Sequence, residues 1–107
     1  MTQHLAAYSS SADDKYDEAV KRLSILIALA DRRGKLTTHF ERVGRLLASL
    51  PWATTESKLA QFRLRTAQHY HRFSETGAAR HELNKLMRHL IKARNGEEEP
   101  WRSNQLI

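Results

Sequence analysis

Apolar residues recur at intervals of three and four along most of this 107-residue chain, and strict alternation of apolar and polar residues never extends beyond a few positions. Intervals of three and four place side chains on one face of an α-helix, whereas strict alternation is typical of a β-strand. The pattern therefore predicts an all-α fold. Because the connections between the apolar stretches are short, we expect a small bundle of about four helices in up-down order.

The ends of the first two helices are predicted from capping signals. Helix one is expected over residues 12–32, because Ser11 is a common N-cap type and is followed by acidic residues. Helix two is expected over 39–49, because Thr38 and Glu41 match the spacing of a capping box.

The boundary between the last two helices is less sharply marked. Thr54 or Thr55 is the expected cap of helix three, which runs to about Phe73, and helix four is expected over 78–94. The break between them depends on Gly77, and a glycine inside a helix costs only about 1 kcal/mol. Helices three and four are therefore either two helices or one kinked helix.

Each predicted helix has one apolar stripe that we expect to face a common core. The stripes are Tyr16, Val20, Leu23, Ile27 and Ala30 in helix one; Phe40, Val43, Leu47 and Leu50 in helix two; Leu59, Phe62, Tyr70 and Phe73 in helix three; and Leu83, Leu86, Met87, Leu90 and Ile91 in helix four. A chain of this length accommodates one core. We expect a single domain over 11–96, between a flexible N-terminus (1–10) and an acidic C-terminal tail (97–107).

A few apolar residues fall outside these stripes. Ile25 and Leu29 lie off the stripe of helix one, and Leu64 lies off that of helix three, while Trp101 is in the acidic tail. Either the core is wide enough to include Ile25, Leu29 and Leu64, or these residues form a surface that binds a protein or a second copy of the chain. Trp101 belongs to a disordered tail, to a strap across the bundle or to a short linear motif for a partner.

Charge is distributed unevenly along the chain, whose formal net charge is +6. Residues 32–96 contain fourteen Lys and Arg against four Glu, a net charge of +10, whereas residues 1–31 and 97–107 are each net acidic. Such asymmetry favours a polyanionic partner, because summed surface charge steers association.

The basic residues that we expect to bind a partner lie opposite the apolar stripes of helices two and four and flank the stripe of helix three. They are Arg42, Arg45, Lys58, Arg65, Arg72, His81, Lys85, Arg88 and Lys92. Cations about one helical turn apart can meet successive phosphates of a nucleic acid. Lys and Arg are also ordinary residues of any solvated helix face, but such faces usually interleave acids with them, and few acids are present here.

Several function classes lack their sequence signatures. The chain has no cysteine, no His-x-x-x-His pair, no phosphate-binding glycine loop and no nucleophile elbow. We therefore expect no catalytic residue, no metal site, no cofactor and no small-molecule substrate. The N-terminal residues do not resemble a secretory signal and the longest apolar stretch is too short for a bilayer, so a cytoplasmic protein without a membrane partner is expected.

Two hypotheses for function follow. The first is a non-enzymatic accessory protein that binds the phosphate backbone of DNA or RNA through its basic helical face, as part of a nucleoprotein assembly and without reading base sequence. The alternative is a protein-protein interaction module, such as an adaptor, an inhibitor or a small phage or plasmid regulator, that uses the surplus apolar residues of helix one. No motif in the chain assigns it to a known family.

Overall fold

The chain forms four α-helices in the computed structural model, which describes residues 2–32 and 34–96 and, within those ranges, the side chains from residue 14 onward. The helices are α1 (Thr2–Leu29), α2 (Thr37–Ser49), α3 (Thr54–Arg72) and α4 (Thr76–Arg94). No strand occurs in these ranges. The prediction of an all-α bundle of four helices is therefore confirmed.

Each helix packs against the next one along the chain, and α4 packs against α1 to close the arrangement. Consequently α2 and α4 lie diagonally opposite each other, as do α1 and α3. Two ion pairs show that α1 and α4 run antiparallel. Asp31 pairs with Arg80 near the start of α4, and Asp17 pairs with Arg94 at its end, where Nη1 and Oδ1 are 3.0 Å apart.

Helix α1 begins ten residues earlier than predicted. The backbone is helical from Thr2, so Ser11 lies inside the helix and the assignment of Ser11 as its N-cap is wrong. No glycine or proline precedes Gly34 in the sequence, so nothing in this stretch breaks a helix. Residues 2–10 of the predicted flexible N-terminus thus belong to α1, whereas the acidic tail lies outside the described residues.

The predicted side-chain caps of α2 and α3 are also wrong. The N-cap residues are Leu36 and Ala53, and neither helix start has a side-chain cap hydrogen bond. Thr38 is already the second residue of α2, so it cannot form a capping box with Glu41, and Thr54 is the first residue of α3. Packing supplies a reason at α2, because Leu36 packs against the core and fixes where the helix starts.

Helices α3 and α4 are separate, and the break lies at Ser74 rather than at Gly77. Ser74 has a φ of 62°, in the left-handed region that interrupts a right-handed helix. The amide of Glu75 donates to the carbonyl of Tyr70 at 2.9 Å, which closes the turn. Gly77 lies in the first turn of α4.

The core confirms the predicted stripe of α2 and most of that of α4. Its buried apolar residues are Tyr16, Ala19, Leu23, Leu26, Ala30, Phe40, Val43, Leu47, Leu50, Ala60, Leu64, Ala67, Ala79, Leu83, Leu86 and Leu90. On α1 the buried stripe is turned toward Ala19 and Leu26, so that Val20 and Ile27 are only partly buried at its edge.

The stripe predicted for α3 is wrong. Phe62 and Phe73 keep 60% and 63% of their surface exposed, while Ala60, Leu64 and Ala67 face the core. Small residues let neighbouring helices approach closely, and Leu64 packs where Gly44 of α2 leaves room. The inner face of this helix therefore combines Leu64 with two alanines, and both phenylalanines lie on the outer face.

Within the described residues, no helix combines the length and the apolar character that a bilayer span requires.

Candidate nucleic-acid interface

A groove of about 290 Å³ runs along the surface between α3 and α4. It is lined by Arg63 of α3 and by Lys85, Arg88, His89 and Lys92 of α4. We call it the cationic groove. Four of the five side chains are cations and the fifth is an imidazole, so no acidic residue of the described chain lines the groove.

The spacing of the α4 residues explains why they share one side of the helix. Lys85, Arg88 and Lys92 are three and four positions apart, which places them on one face. Leu86 and Leu90 are fully buried on the opposite side and hold that face outward. The predicted basic stripe of α4 therefore exists, and the structure adds Arg63 from the neighbouring helix.

Acidic residues of α1 and of the turn after it neutralise a different side of α4. Arg80 pairs with Asp31 and Arg94 pairs with Asp17, both across the α1–α4 contact. In the cationic groove, Lys85 contacts Glu82 at a distance of 3.5 Å between Nζ and Oε2. Within the described part of the chain, Arg63, Arg88 and Lys92 form no ion pair.

Two polar atoms of the groove residues are buried without a hydrogen-bond partner among the described residues. They are Nε of Arg63 and Nδ1 of His89. A buried polar atom that lacks a partner costs about 1–3 kcal/mol, and such atoms in native proteins often belong to binding sites. Both residues line the cationic groove.

His89 is fixed in place by a buried contact with α3. Its Nε2 lies 3.0 Å from Oε2 of Glu56, and because a carboxylate only accepts, the ring N–H donates. The imidazole also stacks on Trp52 with ring centroids 5.2 Å apart. Glu56 and His89 are 6% and 4% exposed, so this contact joins α3 to α4 beneath the groove.

Trp52 extends the same cluster to α1. Its indole Nε1–H donates to the carbonyl of Leu47 at 3.1 Å, and its ring meets Tyr16 edge-on at 6.3 Å. Burial, and secondarily the negative charge of Glu56, raises the pKa of the Tyr16 hydroxyl. Residues from three helices and one loop thus support the floor of the site.

The structure separates the other six predicted basic residues into four places. Lys58 and Arg65 are exposed on the outer face of α3, and His81 is exposed on α4 before the groove. Arg42 and Arg45 are exposed on α2, diagonally across the bundle from α4, and do not line the groove.

Arg72 lies at the end of the bundle where α1 joins α2 and α3 joins α4. There it lines a pocket of about 420 Å³ whose other cations are Arg32 and Lys35. This pocket is away from the cationic groove, so the nine predicted basic residues do not form one continuous surface.

Two aromatic residues that the sequence pattern assigned to the core belong to the surface instead. Phe62 and Phe73 lie on the outer side of α3, in line with Lys58, Arg65 and His69. Sequence reasoning missed them because it ranked α3 residues by apolar size. Their spacing from Lys58 and Arg65 carried the signal, because residues three, four and seven apart share a helix face.

The predicted protein-interface residues have different outcomes. Leu64 is 5% exposed in the core, so its assignment to an exposed interface is wrong. Its place against Gly44, between α2 and α3, explains the burial. Ile25 and Leu29 are partly exposed on α1, and Trp101 lies outside the described residues.

Comparison of the chain with protein-family models, curated proteins and solved structures gives no match. Its function has to be inferred from the residues of the site.

Proposed function

We propose that this protein is a non-enzymatic accessory protein that binds the phosphate backbone of a nucleic acid, within a nucleoprotein assembly. The cationic groove supports this proposal most strongly. It brings Arg63 together with Lys85, Arg88 and Lys92, and it contains a buried guanidinium N–H that has no acceptor among the described residues.

The side chains that line the groove have the chemistry that binds phosphate. Guanidinium groups donate two parallel hydrogen bonds to a phosphate, and ammonium groups add point charge. Each phosphate that is neutralised releases condensed counterions, so binding is driven by entropy and weakens with salt. Contacts of this kind position a nucleic acid without reading its bases, so we expect little sequence preference.

A salt series tests the proposal. The affinity of the protein for a fluorescently labelled, mixed-sequence oligonucleotide is measured by anisotropy between about 50 and 200 mM salt. We expect the logarithm of the association constant to fall linearly with the logarithm of salt concentration, with a slope of about −0.7 to −0.9 per phosphate contacted.

A matched pair of variants assigns the binding to the groove. Arg88→Glu/Lys92→Glu and Arg42→Glu/Arg45→Glu change the net charge equally, but only the first pair alters the cationic groove. We expect the groove variant to lose affinity and salt dependence, and the α2 variant to retain most of both. An equal loss in the two variants would attribute binding to net charge, and no binding by the wild type at about 50 mM salt would refute the proposal.

A second candidate function is a protein-protein contact through α1. Ile25 and Leu29 are four residues apart, partly exposed, and outside the set of residues packed against the core. Sedimentation of the wild type and of Ile25→Glu/Leu29→Glu tests whether this face forms a homodimer. If the wild type is a dimer and the substitutions dissociate it, the contact through α1 is supported. If both proteins are monomers, a homodimer through α1 is excluded.

A further inference from the structure

The outer face of α3 interleaves aromatic and basic side chains. Lys58, Phe62, Arg65, His69 and Phe73 are separated by four, three, four and four positions, which places them along one side of the helix. All five are exposed. We call this surface the aromatic-basic face.

The two phenylalanines of this face are the only large apolar side chains that are strongly exposed among the described residues. They are eleven residues apart, which is about three helical turns or about 16 Å along the axis. The ring of Phe73 lies against that of His69 with centroids 4.9 Å apart. The face therefore offers two separated ring surfaces: the ring of Phe62, and the ring of Phe73 together with that of His69.

Cations predominate around these rings, and one acid, Glu75, lines a surface pocket with His69 and Phe73. Residues 57–74 contain four Lys and Arg and no Asp or Glu. A partner that complements this face must combine negative charge with flat apolar surface. A surface that binds another protein through exposed phenylalanines typically lacks charge at its centre, whereas here Arg65 lies between the two rings.

From this arrangement we infer that the aromatic-basic face binds single-stranded nucleic acid by stacking bases on Phe62 and Phe73, with Arg65 contacting phosphate between the two rings and Lys58 contacting phosphate beyond Phe62. The inference rests on the proposed function and narrows it to single strands. Stacking on aromatic side chains within a positively charged surface is the general mode by which proteins hold single strands without reading sequence.

A duplex cannot use the same contacts. Its bases are already stacked on one another inside the helix, so a phenylalanine on the protein surface finds no free base face. Both ligands can place phosphates in the cationic groove, but only a single strand gains from the rings. The face also adjoins the groove, because Arg63 follows Phe62 and turns about 100° toward α4.

The experiment compares a mixed-sequence single strand with the duplex of the same sequence. Affinities are measured for the wild type, for Phe62→Leu/Phe73→Leu, which keeps apolar side chains without rings, and for Phe62→Tyr/Phe73→Tyr, which keeps the rings. Circular dichroism confirms that each variant folds, as expected for exposed positions. We expect the wild type to prefer the single strand.

Each stacked base contributes about fivefold or more to affinity. The leucine variant should therefore bind the single strand about 25-fold more weakly or worse, the tyrosine variant should bind it like the wild type, and neither should change binding to the duplex. Equal affinities for the two ligands with no effect of the leucine substitutions would overturn the inference and leave the proposed function standing. Binding of neither ligand by the wild type would refute the proposed function itself. Self-association of the wild type that the leucine substitutions abolish would also overturn the inference, because the rings would then cover a second copy.

Discussion

The imidazole of His89 donates a hydrogen bond to the carboxylate of Glu56, with 3.0 Å between Nε2 and Oε2, although the two residues are 33 positions apart. The bond is buried and joins the start of α3 to the last turns of α4. Since Lys85, Arg88 and Lys92 flank His89 on α4, the bond also sets where the cationic groove opens between the two helices.

Removal of one partner of this pair should destabilise the fold strongly. His89→Ala takes from Glu56 a buried donor and removes the ring stacked on Trp52. We expect the free energy of unfolding to fall by about 3 kcal/mol, because the variant loses a buried hydrogen bond to a carboxylate and the packing of a buried ring. Urea denaturation followed by circular dichroism measures the change.

Glu56→Gln is the matched control, because the amide oxygen still accepts from the His89 ring. Its cost should be about 1 kcal/mol, the difference between a charge-assisted and a neutral hydrogen bond. Unfolding free energies of both variants equal to that of the wild type would contradict the role assigned to the pair.

The register of α3 is tested by two substitutions on opposite sides of the helix. Leu64→Ala should lower the unfolding free energy by about 3 kcal/mol, because Leu64 is buried and its removal leaves a cavity. Phe62→Ala removes a larger side chain but should cost less than about 0.5 kcal/mol, because 60% of Phe62 is exposed. A larger loss of unfolding free energy in Phe62→Ala than in Leu64→Ala would contradict this register and support the one that the apolar pattern predicts.

The turn between α3 and α4 contains a strained position. Ser74 has a φ of 62°, which costs an ordinary residue about 1 kcal/mol relative to glycine. Ser74→Gly should therefore raise the melting temperature by a few degrees, while Ser74→Val should lower it, since β-branched residues tolerate this region least. Calorimetry of the two variants measures both shifts, and a stabilising valine would contradict the observed backbone.

The raised pKa of Tyr16 predicts a loss of stability in alkali. Burial keeps the hydroxyl protonated in the folded state above pH 10.0, its ordinary pKa, while the unfolded state already ionises. The contribution is fully present below about pH 10 and is lost as pH rises above it. The unfolding free energy should fall less for Tyr16→Phe than for the wild type between about pH 9 and 11. Parallel pH dependences of the two proteins would contradict the assignment.

The sequence predicts the helical fold and three of the four core stripes in large part. Leucine spacing in α2 and α4 suffices because these helices carry one dominant apolar stripe. It fails in α3, where Ala60 and Ala67 face the core and Phe62 faces outward. The sizes of the apolar side chains along α3 do not show how closely the neighbouring helices approach it. Alanine fills the interface only where that approach is close.

The candidate site is only partly predictable for a related reason. The spacing of Lys85, Arg88 and Lys92 indicates a shared face within one helix. Arg63 and the buried contact between Glu56 and His89 depend on how α3 meets α4, which no periodicity within a single helix encodes.

The central claim is that a nucleic acid binds along α3 and α4, and backbone amide chemical shifts test it most directly. The labelled protein is titrated with a mixed-sequence, single-stranded oligonucleotide, and shift changes are mapped onto the four helices. We predict changes over 58–73 and 85–92, and none of comparable size around Arg42 and Arg45 on α2. Changes concentrated on α1 and α2, or an unchanged spectrum at saturating oligonucleotide, would contradict the account.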